Sequence, residues 1–275
     1  MPELPEVEFV RRMLEPAMAE ARVDAALVRR ANLRIPFPPG FVDRLVGQRV
    51  AAVERRAKFL LITLSSGETL LVHLGMSGWF RVEALQDGPG RFGAPPSTDN
   101  PKHDHVVFEM SSGALVTFND PRRFGLMDLV PRGGLATHPM LRSLGPEPLS
   151  PAFDATALAS ACAKRKVAVK VALLDQRVVA GVGNIYASEA LFVAKISPKR
   201  RASRLAARPG TPTPAAVRLT AAIVKVLADA VDRPRLTFRV YDRAGQGCPR
   251  RGCHGRIARI VQAARSTFYC PRCQT

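Results

Sequence analysis

Four of the chain's five cysteines form a spaced set near its C-terminus, Cys248-x4-Cys253-x16-Cys270-x2-Cys273. Two close pairs separated by a hairpin-length spacer meet the needs of a tetrahedral four-thiolate zinc site. With four protein ligands no coordination position stays open, so the expected ion is a single structural Zn2+ rather than a catalytic one. The competing readings are four free thiols or two disulfides, which the sparse cysteine usage of a 275-residue chain argues against. His254 adjoins Cys253 and could compete as a ligand, but four cysteines already suffice. Cys162, between Ala161 and Ala163, reads as a small core residue.

The spacer carries Arg256, Arg259 and Arg265, and this basic character extends through the whole chain. Lys and Arg number 41 against 23 Asp and Glu, a formal net charge of +18. Arginine supplies most of the surplus, and its planar fork suits phosphate better than a point charge does. Nucleic acid fits such a balance, because each neutralised phosphate releases counterions. A membrane surface would also attract the charge. No stretch of 18 apolar residues, basic amphipathic helix with a bulky apolar face or signal peptide is evident. The expectation is a soluble, cytoplasmic, monomeric protein that binds nucleic acid and not membrane.

Apolar texture divides the rest. Val7, Val10, Leu14 and Met18 recur at helical spacing, so a helix is expected over residues 5–20. From about 23 to 130 short apolar runs such as Phe59–Leu64 and Ala114–Phe118 alternate with turn signals such as Ser66-Gly67 and Ser112-Gly113, the pattern of an antiparallel β-rich domain. Residues 84–101 form a Gly/Pro-rich loop, expected to be mobile. Residues 131–150 are rich in Pro and Gly and read as an interdomain linker. Residues 151–232 have the Ala/Leu/Val periodicity of helices, broken at 180–184 and 208–214. The expected fold class is α+β, with a β-rich domain at 1–130, the linker at 131–150, a helical domain at 151–239 and the four-cysteine module at 240–275.

The chain opens Met1-Pro2-Glu3-Leu4-Pro5-Glu6. Read structurally, this is a helix N-terminus: Pro5 near a first helical position, Glu6 and Glu8 facing the positive helix end. Read chemically, removal of Met1 would give Pro2 a secondary amine. An α-amino group titrates near ~7.7–8.0, so part of it is neutral at physiological pH and nucleophilic. Glu3 beside it can act as a general acid or base. Taken alone, the residues favour the cap.

Four further blocks change that balance: Arg56-Ala57-Lys58-Phe59-Leu60, His73-Leu74-Gly75-Met76-Ser77-Gly78, Asn119-Asp120-Pro121-Arg122-Arg123-Phe124-Gly125 and Gly181-Val182-Gly183-Asn184-Ile185-Tyr186-Ala187. Together with the opening hexapeptide and the cysteine tail, they resemble the formamidopyrimidine-DNA glycosylase / endonuclease VIII family, and within it the purine-lesion branch. The resemblance spans nearly the whole chain. It implies a β-sandwich-like N-terminal domain with a flanking helix, a helix–two-turn–helix domain and a zinc-finger hairpin. It implies a bifunctional DNA glycosylase and abasic-site lyase acting on oxidised purines in double-stranded DNA, and so a bacterial, nucleoid-associated enzyme. Pro2 would be the nucleophile, Glu3 the acid/base, and Lys58 a phosphate-contacting lysine of the catalytic site.

The family's void-filling set corresponds to Met76, Arg122 and Phe124, and its phosphate contacts to Lys58, His73, Asn184 and Arg265. The residues themselves leave simpler alternatives open. Lys58 could be a solvated strand-edge lysine, Met76 and Phe124 core residues, Arg122 a surface charge, and Asn184 part of an ordinary helix-opening turn. Lys164, Lys166 and Lys170 lie in one helical stretch and read as an extension of the basic surface or as a solvated face.

Two departures from the family pattern stand out. The first cysteine pair is spaced x4 instead of x2, and residues 232–239 replace a longer lesion-capping segment with Gly-Gly, Thr-Leu and Pro-Gly elements. The shortened lid leaves a second function in contention, a damaged-DNA or abasic-site binding protein on the same scaffold with weak base excision. A third is a basic zinc protein bound to RNA or ribosomes.

Overall fold

The computed structural model describes residues 1–84, 100–208, 210–232 and 237–275, which fall into two compact units, Met1–Arg142 and Ser143–Thr275. Most of the Gly/Pro-rich 84–101 loop and residues 233–236 of the shortened segment lie outside the described residues.

The first unit begins with α1 (Leu4–Met18), followed by β1 (Val23–Val28), the short α2 (Phe41–Leu45), β2 (Val50–Arg56), β3 (Phe59–Leu64), β4 (Thr69–His73), β5 (Trp79–Ala84), β6 (Asp104–Met110), β7 (Ala114–Asn119) and β8 (Leu126–Val130). These strands make two four-stranded antiparallel sheets, ordered β1-β6-β7-β5 and β2-β3-β4-β8. Alternation sets which side chains face inward: in β3, Leu60, Ile62 and Leu64 are buried while their neighbours are partly exposed. They share one core cluster with Val106, Phe108, Val116 and Phe118 of the other sheet, the packing of a β-sandwich.

Val7, Val10, Leu14 and Met18 of α1 are all buried in that same core, as their spacing predicts. Glu3 caps the helix. Its N–H donates to Glu6 Oε2 at 2.8 Å, while its own carboxylate accepts the Glu6 backbone N–H, a reciprocal capping box. Pro5 sits in the first turn, where no intrahelical donor is needed. Glu8 then ties α1 to the sheet by accepting from Arg55 Nε at 3.0 Å.

The second unit comprises α3 (Ala155–Cys162), α4 (Val169–Leu174), α5 (Asn184–Val193), the short pair β9 (Ala206–Arg208) and β10 (Thr211–Pro212), α6 (Pro214–Asp232), and the hairpin β11 (Ala258–Gln262) and β12 (Arg265–Tyr269). α3, α5 and α6 supply most of one apolar cluster, and Phe192, Val240, Ile257 and Phe268 join the hairpin to the end of α5 in another. Cys162 is fully buried in the helical cluster, and burial pushes its thiol up to about 11. It is the inert core residue its setting implied. No helix among the described residues is long and apolar enough to cross a membrane.

Candidate functional site

At the N-terminus of the first unit, Pro2 is partly exposed and Glu3 is buried at 1 % exposure. While Met1 remains attached, the Pro2 nitrogen is an amide without a nucleophilic lone pair. The capping box orients Glu3 and thereby fixes the residue before it. The cap and the chemistry proposed for this hexapeptide therefore use the same geometry.

Lys58 does not lie on a strand. It is the second residue of the two-residue turn Ala57–Lys58, which joins β2 to β3 with Arg56 opposite Phe59. Ala57 takes a positive φ of 55° there, and Arg55 Nη1 donates to the Ala57 carbonyl at 3.1 Å, bracing the turn. Lys58 is 7 % exposed, so it is not the solvated edge lysine of the simpler reading. His73, at the end of β4 and in register with Phe59, stacks on that ring with centroids 4.9 Å apart. Its Nδ1 accepts the Gly75 N–H at 3.0 Å, leaving Nε2 as the donor of a neutral imidazole. Burial, then the positive charges of Lys58 and Arg34, push the His73 pKa down to about 4.

The second cluster consists of two loops packed backbone to backbone. A Cβ on Gly75, whose φ is 65°, would come within 2.3 Å of the Phe124 carbonyl carbon, so only glycine permits this approach. Asp120 joins the loops. Its carboxylate, fully buried, accepts from Ser77 Oγ at 2.6 Å, the Gly125 N–H at 2.8 Å and the Arg122 N–H at 3.3 Å. The loops so held project Met76, 39 % exposed, and Phe124, 45 % exposed, into solvent. Neither is the core residue that apolar character alone suggested. The Arg122 guanidinium lies 4.7 Å from the Phe124 ring centroid. Two apolar side chains and a stacked cation exposed on braced loops are suited to entering a base stack.

On the second unit, Asn184 opens α5 after the turn Gly181–Gly183. Gln176 staples this turn. Its Nε2 donates to the carbonyls of Leu174 and Val182, and its Oε1 accepts from the Gly181 N–H at 2.9 Å. Both ends of the Asn184 amide are engaged: Oδ1 accepts from Lys170 Nζ at 2.5 Å, and Nδ2 donates to the Ser266 carbonyl at 3.0 Å. Lys170 also reaches Thr267 Oγ1 at 2.8 Å and the Ser266 carbonyl. It is 0 % exposed and clamps Asn184 to β12, which corrects its assignment to the basic surface. Lys164 and Lys166 are exposed, but in the turn before α4 and not on a helix. Arg265 is exposed at the start of β12.

The four thiolate positions converge, with all Sγ atoms within 4.8 Å of one another. The Cys248–Cys273 and Cys253–Cys270 sulfurs are 3.8 and 3.7 Å apart. Tetrahedral ligation at ~2.3 Å per Zn–S bond requires edges of about 3.8 Å, so the set fits one structural zinc despite the x4 spacing. A Cβ on Gly255 would lie 2.7 Å from Cys270 Sγ, so glycine there lets the knuckle close. His254 is exposed and outside the cluster. Arg250 anchors the finger, its guanidinium 4.7 Å from the Phe192 ring centroid at the end of α5.

Sequence reading missed three buried polar groups. From sequence Asp120 carries no role of its own, and Lys170 reads as part of a basic surface or a solvated face. Glu189, in the apolar run of α5, accepts the backbone N–H groups of Arg239, Val240 and Tyr241 and so fixes the chain immediately after the shortened segment. An acid in the middle of an apolar helix was the available signal.

Family models match the chain in order: the formamidopyrimidine-DNA glycosylase N-terminal domain over residues 1–127, the H2TH domain of the same enzymes over 144–242, and the zinc finger found in FPG and IleRS over 245–275. A formamidopyrimidine-DNA glycosylase of Rhodopseudomonas palustris is 55% identical over 294 aligned positions that take in all of both chains. Set against 275 residues, about 19 of those positions have no counterpart here. A Bradyrhizobium homologue of the same name is 53% identical, again over the full length of both. Among solved structures, the MutM (Fpg) protein of Thermus thermophilus is 36% identical with a TM-score of 0.79, covering 99% of this chain and 98% of that one. The Lactococcus lactis enzyme, non-covalently bound to DNA containing an AP site, is 28% identical with a TM-score of 0.85, covering 99% of both chains.

Proposed function

Since the chain belongs to the formamidopyrimidine-DNA glycosylase family, we propose that it is a base-excision-repair glycosylase and abasic-site lyase acting on oxidised purines in duplex DNA. The observation that carries this is the pairing of Pro2 with a buried, cap-oriented Glu3. A protein that only bound DNA would need Glu3 as a helix cap but would have no use for a Pro2 amine beside it.

The steps follow from the groups present. A base inside the stack shields its sugar carbon, so the damaged nucleotide must leave the duplex first. Phe124 and Met76 fill the gap, and Arg122 offers hydrogen bonds to the orphaned partner base. Once Met1 is removed, the Pro2 nitrogen attacks C1′. The C1′–N bond to the base breaks with its electron pair leaving on the base, which takes up the proton that the Pro2 nitrogen gives up, and the opened sugar is held as an iminium. Glu3 donates a proton to the ring oxygen as the sugar opens, and as a carboxylate it can then accept one. The iminium acidifies C2′–H, so β- and then δ-elimination expel the 3′ and 5′ phosphates, and water releases Pro2. Lys58 and His73 on the first unit and Asn184 and Arg265 on the second hold backbone phosphates. The zinc keeps the hairpin bearing Arg265 folded. In this reading residues 1–130 form the catalytic domain, 151–239 the DNA-binding domain and 240–275 the finger, and DNA binding places the protein on the nucleoid.

The shortened segment at 232–239 favours a second reading of specificity, in which a pocket with less of a lid excises formamidopyrimidines or further-oxidised purines in preference to 8-oxoguanine. Borohydride reduction on abasic duplex tests the chemistry. A covalent adduct mapping to Pro2 is expected, and its absence would leave only a DNA-binding protein. A cleavage panel of 8-oxoguanine, formamidopyrimidine, hydantoin and oxidised-pyrimidine duplexes then ranks the lesions.

A further inference from the structure

A further set of basic residues lies on the helical unit, outside the set already assigned to phosphate contact. Arg200, Arg201 and Arg204 line an open depression of about 560 Å³. The chain lays another basic stretch alongside it through an antiparallel bridge between Ala168 and Arg201. Backbone bonds continue that pairing: Ala202 N–H donates to the Val167 carbonyl at 2.9 Å, and Ser203 N–H to the Arg165 carbonyl at 3.0 Å. Lys164 and Lys166 are thereby carried beside the three arginines, with Lys199 exposed one residue before them.

Arg200 Nη2 donates to a Thr275 oxygen at 3.0 Å, while among the described residues no ion pair to an Asp or Glu is seen for Lys164, Lys166, Lys199, Arg201 or Arg204. The sequence offers few partners, for no Asp or Glu occurs at 155–174, 190–228 or 243–275. Like charges gathered in this way oppose folding, and a polyanion relieves that repulsion. The surface is also continuous with the hairpin. Gln262 Nε2 donates to the Pro198 carbonyl at 3.2 Å, and Gln262 pairs with Arg265 across the hairpin turn. Positive charge therefore runs from Arg265 past Pro198 to Arg204 with no Asp or Glu in these segments.

We propose that this surface grips the phosphate backbone of duplex DNA flanking the lesion, extending the footprint beyond the hairpin. The inference rests on the DNA-repair reading above. Its test measures affinity by fluorescence anisotropy for abasic-analogue duplexes of about 14 and about 30 base pairs, between ~50 and ~200 mM salt. The parent protein is expected to bind the longer duplex more tightly and with a steeper salt slope. Replacing both arginines in R201A/R204A should lower that slope by roughly 1.8, since each phosphate contact contributes about 0.9, and remove the advantage of length. K164A/K166A, altered on the opposite segment, should act likewise, with melting temperatures confirming that both variants fold. Slopes like the parent's in both variants, or equal losses on both duplexes, would overturn the flank contact. Undamaged duplexes of the same lengths keep the two readings apart. Failure of the parent protein to prefer abasic DNA counts against the repair function, whereas the variants' length dependence is read on either substrate.

Discussion

The two units carry comparable numbers of cations and use them differently. Residues 1–142 hold 18 Lys and Arg against 16 Asp and Glu, whereas residues 143–275 hold 23 against 7, so nearly all of the +18 belongs to the second unit. In the first unit arginines are structural. Arg11, Arg12 and Arg55 converge on Glu8, Arg44 pairs with Glu68, and Arg81 with Asp104 and Glu83. Burial opposes ionisation of Glu8, yet its hydrogen bonds to Arg11 and Arg55 hold its pKa below the usual carboxylate value. In the second unit the ion pairs are more local, joining Asp175 to Arg165 and Arg177 and Lys225 to Asp229. Paired charge builds a rigid frame that can place Pro2, Glu3 and the loops bearing Met76 and Phe124. Unpaired charge is available for a ligand and supplies affinity without sequence preference.

If the two units divide the work this way, metal removal should separate them most sharply. The structural zinc contributes on the order of 10–16 kcal/mol of binding free energy to a finger that has little core of its own. Chelation, or Cys270→Ala, is expected to unfold the hairpin and abolish DNA binding while the first unit keeps its β-sheet circular dichroism and its own melting transition. Loss of both transitions together would break the comparison.

Lys170 tests the second unit from within. Lys170→Met keeps the length of the side chain but leaves Asn184 Oδ1 without the bond from Nζ. A cost of about 1–3 kcal/mol in stability is expected, together with weaker DNA binding, because the part-buried Asn184 Oδ1 and the buried Thr267 Oγ1 both lose their charged donor. The first unit's counterpart is Asp120→Ala, which releases the Ser77, Arg122 and Gly125 donors together. A similar cost is expected, but here in base eversion, followed by the fluorescence of a base analogue opposite the lesion, with affinity for a preformed abasic site far less changed.

Much of this division was legible in the residues and some was not, for physical reasons. Spacing alone located α1, the strand runs of the sandwich and the four-thiolate cluster, because burial periodicity and metal geometry are local properties of sequence. Residue type does not say which side chains are left outside. Met76 and Phe124 are exposed only because Gly75 and Asp120 bring two distant loops into backbone contact. Lys170 reads as one more surface lysine until the packing of β12 against α4 and α5 encloses it. Lys58 falls in a turn rather than on a strand because Ala57 accepts a positive φ that no glycine announced.

His73 gives a pH test confined to the first unit. With its folded pKa pushed down to about 4 from 6.5, the unfolded chain binds more protons between those values, so stability should fall as pH drops through that window. His73→Gln should flatten the dependence there. Above pH 6.5 the imidazole is neutral, so DNA affinity should carry no histidine-linked change from this position between pH 7 and 8. The charged surface of the second unit should dominate instead, through salt.

The smallest expected effect concerns the hairpin tip that presents Arg265. Ala263 and Ala264 form its two-residue turn with φ of 47° and 59°, the left-handed conformation at both positions. Two-residue hairpins with positive φ at both positions favour Asn-Gly, since a Cβ there is strained. Both alanines are exposed, so replacement removes no packing. A263N/A264G should therefore raise the stability of the finger by about 1 kcal/mol, read as slower zinc loss to a chelator and a higher melting temperature of the second unit alone. DNA affinity should stay within about twofold, because the register that carries Arg265 is already set by five pairs along β11 and β12. A gain in affinity would instead mean that the alanine turn holds Arg265 away from its phosphate. The charge of the second unit would then be limited by geometry in the same way as the chemistry of the first.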